Sequence, residues 1–338
     1  LKKRKSIHDV AKELQVSATT LSFVLNNKGK EKRISDEVIK KIEDYVIKTG
    51  YKPSFIGKSL RTGKTKTIGL IVEDIADPFF SAVASVIEQK AFDSGYKMII
   101  ASCNNIPGKI REVVNILDER SVDGFIIAPT IDIEDVILKL KEEKKPFILF
   151  DRFLPDIDTF NVVVENENGA YIATEHLYEN GYRNIAIITL LSEQIQMVER
   201  LNGYLKFIRE KGLKEEVFKI EYDLQYKEIT KKIARIIQDK PHIDAILFGT
   251  NYLTIGGLTA LKQLGNERNK IGLVSFDDHF HYDLFTPSIT AIDQPVDLLA
   301  TTIITHLLEM LDDQTNATKK NETIRLPVSL LARESSKR

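Results

Sequence analysis

From Thr67 onward the chain alternates short apolar runs with amphipathic stretches, and this rhythm restricts the fold more than any other feature. TIGLIV, KMIIAS, GFIIAP and FILFD read as buried strands, separated by helices near Phe80 to Ser94, Ile110 to Arg120 and Ile133 to Glu143. The set recurs in style as NIAIITL, AILFG and GLVSFD, with helices near Gly169 to Asn180, Met197 to Lys211 and Thr254 to Leu264. Strands alternating with helices build parallel sheets covered on both faces, so each strand is continuously apolar. Two such sets predict two α/β subdomains. With 338 residues and 43% apolar content, the chain has room for both cores and one small domain more.

The stretch SIHDVAKELQVSATTLSFVLNN has a different period. Ile7, Val10, Ala11 and Leu14 fall at i, i+3, i+4 and i+7 and give a first helix one apolar stripe. Ser17 stands where the N-cap of a second helix belongs. In that helix Leu21, Val24 and Leu25 point inward, while Ala18, Thr19, Ser22, Phe23 and Asn26 share the outer face. Small and amide side chains on an exposed helix suit a DNA major groove. Ser35 caps a third helix with Val38, Ile39, Ile42, Tyr45 and Val46 on its apolar side, and Gly50 closes it.

Such a helix pair occurs in many small bundles, so charge has to decide. Residues 1–66 hold 17 Lys or Arg against 7 Asp or Glu, a net of +10, whereas the remainder holds 31 against 42, a net of −11. The formal total of −1 conceals two opposite halves. A basic head neutralises phosphates and releases counterions, which an acidic body does not do.

Other chemistries find little footing. Gly63, Lys64 and Thr65 mimic the end of a phosphate loop, but five residues separate Gly57 from Gly63 where that loop needs four, and the segment precedes a strand. His279 and His281 in DDHFH lack an obvious third metal ligand. Cys103 is the single cysteine, fits a reducing compartment and reads as core. No Ser-His-Asp or Cys-His constellation is identifiable. No cofactor, metal or catalysis is expected, and with no apolar run of membrane length or secretory signal the expected location is cytoplasmic.

From Ile7 through TGYKPSFIGKSLRTGKTKTIGLIV and EDIADPFF, the sequence is similar to the lactose-repressor and galactose-repressor family of bacterial transcription regulators. The resemblance implies an α/β chain with an N-terminal three-helix helix-turn-helix head at 1–53 and a hinge helix and linker at 54–66. Two doubly wound parallel-sheet lobes resembling type I periplasmic binding proteins follow, one at 67–164 plus 293–325 and the other at 165–292 plus 326–338. It further implies a hinge helix at Ser54 to Leu60 that folds on DNA, with Leu60 as an apolar wedge in the minor groove. The implied DNA-contacting set is Ser6, Ser17, Ala18, Thr19, Thr20, Ser22, Phe23, Asn26, Ser35, Tyr51 and Leu60.

Ligands of open α/β sheets bind beyond the carboxyl ends of strands. At such loops the resemblance implies effector-binding roles for Phe79, Asp151, Arg152, Arg200, Asn251 and Asp277. Arg donates in a planar fork, Asp accepts hydroxyls, Asn does both, and a ring covers the apolar face of a sugar. Some positions depart from the family. Phe23 stands where Arg is usual, Gln15 where a turn Gly is frequent, Ser54 and Gly57 where Asn and Ala are common. Tyr252 replaces an Asp, and Leu224 lies near the place of an aromatic wall. The expected function is a regulator that binds a palindromic double-stranded operator as a homodimer, controlled by a small effector, a sugar or sugar phosphate, with no membrane partner. The alternatives are a sugar-binding transport protein and an α/β sugar-metabolising enzyme.

Overall fold

The computed structural model describes residues 5–51, 63–222, 224–265, 271–312 and 322–338. The hinge at Ser54 to Leu60 therefore lies outside the described residues. Two compact units are present, Leu1–Thr65 and Lys66–Arg338.

In the first unit, α1 (Ile7–Glu13), α2 (Ala18–Leu25) and α3 (Asp36–Thr49) each start after a serine that accepts a backbone N–H. Ser6 accepts from Asp9, Ser17 from Thr20 and Ser35 from Val38, which satisfies donors that a helix start leaves free. Val10, Ala11, Leu14, Leu21, Val24 and Ile42 form the core, and Leu25 packs partly buried against it. Between α1 and α2, Gln15 takes φ 53°, a left-handed conformation that costs a non-glycine residue about 1 kcal/mol.

In the second unit the chain first runs β1 (Thr67–Val72), α4 (Pro78–Asp93), β2 (Lys97–Ser102), α5 (Pro107–Glu119), β3 (Gly124–Ile127), α6 (Glu134–Glu142), β4 (Phe147–Phe150) and β5 (Asn161–Val164). It continues through α7 (Asn166–Glu179), β6 (Ile185–Leu190), α8 (Ile195–Glu210), β7 (Val217–Ile220), α9 (Tyr226–Asp239), β8 (Ala245–Phe248), α10 (Asn251–Leu264), β9 (Gly272–Phe276) and β10 (Thr290–Asp293). It ends with α11 (Val296–Asp312), β11 (Thr323–Leu326) and β12 (Ser329–Leu331).

These strands form two six-stranded sheets, ordered β11-β5-β4-β3-β1-β2 and β12-β10-β9-β8-β6-β7. The chain changes sheet after β5, after β10 and between β11 and β12. The first sheet is covered by α4 and α11 on one face and α5 and α6 on the other. The second lies between α9 with α10 and α7 with α8. Pairing is parallel in both, except that β12 runs antiparallel to β10.

Six strands differ from the sequence reading: β2 in its burial, and β5, β7, β10, β11 and β12 because their short runs were not expected as strands. KMIIAS is not buried: β2 is the edge of its sheet, bonded only to β1, with Ile100 39% exposed. At the edge of the other sheet, β7 is half-exposed and too weakly apolar for its sequence to mark it.

Candidate functional site

In the head, the expected DNA-facing residues fall into two groups. Thr19 and Asn26 are exposed, Ser22 and Phe23 half-buried, and Lys32 Nζ stands 5.7 Å over the Phe23 ring. Asn26 Nδ2 donates to the Ser22 carbonyl at 2.7 Å. Ser6, Ser17 and Ser35 are exposed but hold helix caps, and the Ser17 hydroxyl lies 2.8 Å from that of Thr20. Ala18 packs partly buried against the core. Tyr51 differs from the others in its burial. It is 9% exposed in the head core, and its buried hydroxyl has no hydrogen-bond partner among the described residues.

In the body, the carboxyl ends of both sheets meet. Glu73 follows β1, Asn105 lies beyond β2, and Asp151 and Arg152 follow β4. From the other sheet, Tyr222 lies beyond β7, Asn251 opens α10 after β8, Asp277 follows β9 and Gln294 follows β10. Asp151 and Asp277 close corresponding strands in left-handed conformations, φ 65° and 75°.

Two buried guanidiniums organise this region. Arg152, 3% exposed, donates from Nη2 to Glu73 Oε2 at 2.5 Å, from Nε to Asp151 Oδ2 at 3.0 Å and from Nη1 to Asn105 Oδ1 at 2.9 Å. Arg200, also 3% exposed, donates to Asn166 Oδ1 at 2.9 Å and to the Gly249 carbonyl at 2.8 Å. Its Nη1 lies 3.5 Å from Asp277 Oδ2, and its guanidinium stacks 3.7 Å over the Phe276 ring. Gln294 Nε2 donates to Asp277 Oδ1 at 2.5 Å. Two further bonds join the lobes: Tyr222 Oη donates to Glu73 Oε1 at 2.7 Å and Asn251 Nδ2 to Asp77 Oδ2 at 3.3 Å.

The electrostatics follow from burial and pairing. Burial and then the charge of Asp277 push Asp77 up to about 6, against the bonds it accepts from the Phe79 backbone and Asn251. Burial opposes ionisation of Glu73 too, but the charge and hydrogen bond of Arg152, with bonds from Tyr222 and Asn105, hold it below the ordinary carboxylate range. Burial raises Asp151 against the pull of Arg152 and Arg200. Burial also raises Tyr222 and Tyr252, with Glu73 adding to both.

Of the residues expected from sequence, the structure therefore brings Asp151 to Arg152, Arg200 to Asp277, and Asn251 to the opposite lobe. Phe79 packs edge-on against Phe80 at 5.2 Å and onto the core of the first sheet. Glu73, Asp77, Asn105, Asn166, Tyr222 and Gln294 were not singled out by the sequence reading. Their only signal was position, immediately beyond a strand or at the start of a helix.

The head and body match separate family models: "Bacterial regulatory proteins, lacI family" over residues 6–54 and "Periplasmic binding proteins and sugar binding domain of LacI family" over residues 65–334. The chain belongs to the LacI family. Similar curated proteins include the HTH-type transcriptional regulator KdgR of Bacillus subtilis (strain 168), 30% identical over 334 residues that cover 98% of this chain and 97% of that one. The HTH-type transcriptional repressor PurR of Pectobacterium carotovorum subsp. carotovorum (strain PC1) is 27% identical over 308 residues, covering 90% and 89%. Among solved structures, the lac repressor dimer bound to operator and the anti-inducer ONPF superposes with a TM-score of 0.86 at 21% identity, covering 99% of this chain and all of that one. As a LacI-family member the chain is a sequence-specific DNA-binding transcriptional regulator with an effector-binding domain. Its described residues contain no helix long and apolar enough to cross a membrane.

Proposed function

We propose that this regulator binds a palindromic operator as a homodimer and that a small sugar-like effector, held between its lobes, controls that binding. Each head lays α2 in a major groove, with Thr19, Ser22, Phe23 and Asn26 toward the bases and the caps Ser6, Ser17 and Ser35 toward phosphates. Leu60, outside the described residues, wedges the central minor-groove step. The lobes comprise 67–164 with 293–325 and 165–292 with 326–338, and the effector meets Asp151, Arg152, Arg200, Asn251 and Asp277 between them. The protein works in the cytoplasm, where its DNA is, and performs no chemistry on its effector.

The observation that carries this reading is the pair of bonds between facing strand ends, Tyr222 to Glu73 and Asn251 to Asp77. A ligand at that place must replace or bridge these bonds, and so shifts the equilibrium between lobe arrangements by its differential affinity for them. The test is selection of duplexes from a random DNA pool by the purified protein, with and without a panel of sugars. Enrichment of a palindrome with a deformable central step, to a degree that a sugar changes, is the expected result. Enrichment of an asymmetric site, or of none under any condition, would count against it.

A further inference from the structure

The two guanidiniums of the cleft are engaged by the protein itself before any ligand arrives. Arg152 is used on three sides, by Glu73, Asp151 and Asn105. Arg200 is held by Asn166, the Gly249 carbonyl and Asp277, with one face on Phe276. Against these two guanidiniums stand three carboxyl groups, Glu73, Asp151 and Asp277, and a fourth, Asp77, accepts from Asn251 of the opposite lobe. An incoming phosphate or carboxylate finds all three nitrogens of Arg152 engaged, and it meets a surplus of like charge whose repulsion burial strengthens.

A hydroxyl fares differently, because it can donate to a carboxylate and accept from an amide or phenol. Gln294 turns its amide nitrogen toward Asp277, and its buried Oε1 has no hydrogen-bond partner among the described residues. An acceptor of this kind is matched by a hydroxyl and not by an ionised phosphate or carboxylate group. Glu73 also holds the Tyr222 hydroxyl of the opposite lobe. A ligand hydroxyl taking the place of Tyr222 leaves Glu73 satisfied. An anion taking the place of Glu73 on Arg152 leaves a buried carboxylate unpaired, which is strongly unfavourable.

We propose that Glu73 determines specificity: by occupying Arg152 it makes the cleft select an uncharged, hydroxyl-rich ligand over sugar phosphates and sugar acids. The inference rests on reading the cleft as the effector site. The depressed pKa of Glu73 agrees with it, since the group then stays ionised at neutral pH.

The test is calorimetric titration of the full-length protein with neutral sugars and alditols, each beside its phosphate and its sugar acid. At least one neutral member should bind at least about 30-fold more tightly than its acidic counterparts, the factor that corresponds to about 2 kcal/mol of like-charge repulsion. In Glu73→Gln the gap should narrow to about threefold or less, through stronger binding of the acid. An acid that binds the native protein as tightly as its neutral counterpart, a panel without a neutral binder, or an unchanged gap in a folded Glu73→Gln protein would each overturn the proposal. Where Glu73→Gln does not fold, Glu73→Ala takes its place, with the same narrowing of the gap expected. The same titration on Arg200→Ala separates the two readings. An acid that wins and requires Arg200 overturns the selectivity and leaves the site in place, whereas binding indifferent to Arg200 removes the site itself.

Discussion

Asp77 shows how a single residue links the cleft to solution conditions. Its carboxyl is held at about 6 against an ordinary 3.8, by burial and by Asp277, and it also faces Glu73 and the Asn251 amide. The folded chain therefore holds this proton more tightly than the unfolded chain. Stability from this group is fully present below about pH 4 and is lost as pH rises through about 6. Asp77→Asn keeps an oxygen for the Phe79 backbone N–H and removes the titration. Its melting temperature should rise relative to the native protein between pH 4 and 7, by a few degrees, and a difference constant across that window would show that Asp77 does not carry the effect. The residue was not singled out from the sequence because its partner Asn251 is 174 positions away, and in EDIADPFF an aspartate reads as an ordinary loop acid. Glu73 was passed over for the same reason, its lobe-to-lobe partner Tyr222 being 149 positions distant. Arg200 and Asp277 were legible only through family resemblance, since nothing local distinguishes a buried arginine in a helix from one on its surface.

At the scale of elements, the sequence was informative where burial is symmetric. Central strands such as β3, β4 and β8 are buried at every position, so their apolar runs could be read directly. Edge strands escaped or misled, because β2 has apolar residues without full burial and β7 is half-exposed, and the four-residue runs of β5 and β10 escaped although they are interior and largely buried. Close helix packing was equally hidden. The glycine of RLNGY, Gly203, lies where α8 crosses α7, and a Cβ there would come 2.0 Å from the Glu167 carbonyl oxygen. That neighbour is backbone, so the helices must move apart to admit a methyl group. Gly203→Ala should therefore destabilise the body by about 3 kcal/mol, read as a lowered melting temperature. Gly108→Ala, in a first turn of α5 where nothing lies within 4 Å of the added carbon, should be neutral or stabilising by up to about 1 kcal/mol. Equal effects of the two substitutions would show that helix propensity, and not the crossing, governs the response.

For the whole molecule, the opposite charges of head and body separate two binding events that allostery joins again. Residues 1–66 carry +10 and the remainder −11, so phosphate contacts belong to the head. Each neutralised phosphate steepens the dependence of log affinity on log salt by about 0.9, so operator binding should fall by orders of magnitude between 50 and 200 mM salt. An uncharged ligand neutralises no charge in the cleft and displaces no counterions, and its affinity for the free protein should change less than about twofold over the same range. Linkage adds a stricter requirement: the factor by which ligand changes operator affinity must equal the factor by which operator changes ligand affinity. Titrating each partner with and without the other, at both salt concentrations, tests all of this together. The expected outcome is a steep salt dependence for operator, a flat one for ligand and equal coupling factors measured from the two directions. A ligand affinity that falls with salt in parallel with operator affinity would mean that the effector itself carries charge and that the cleft matches it with a cation, contrary to the pairing of Arg152 with Glu73.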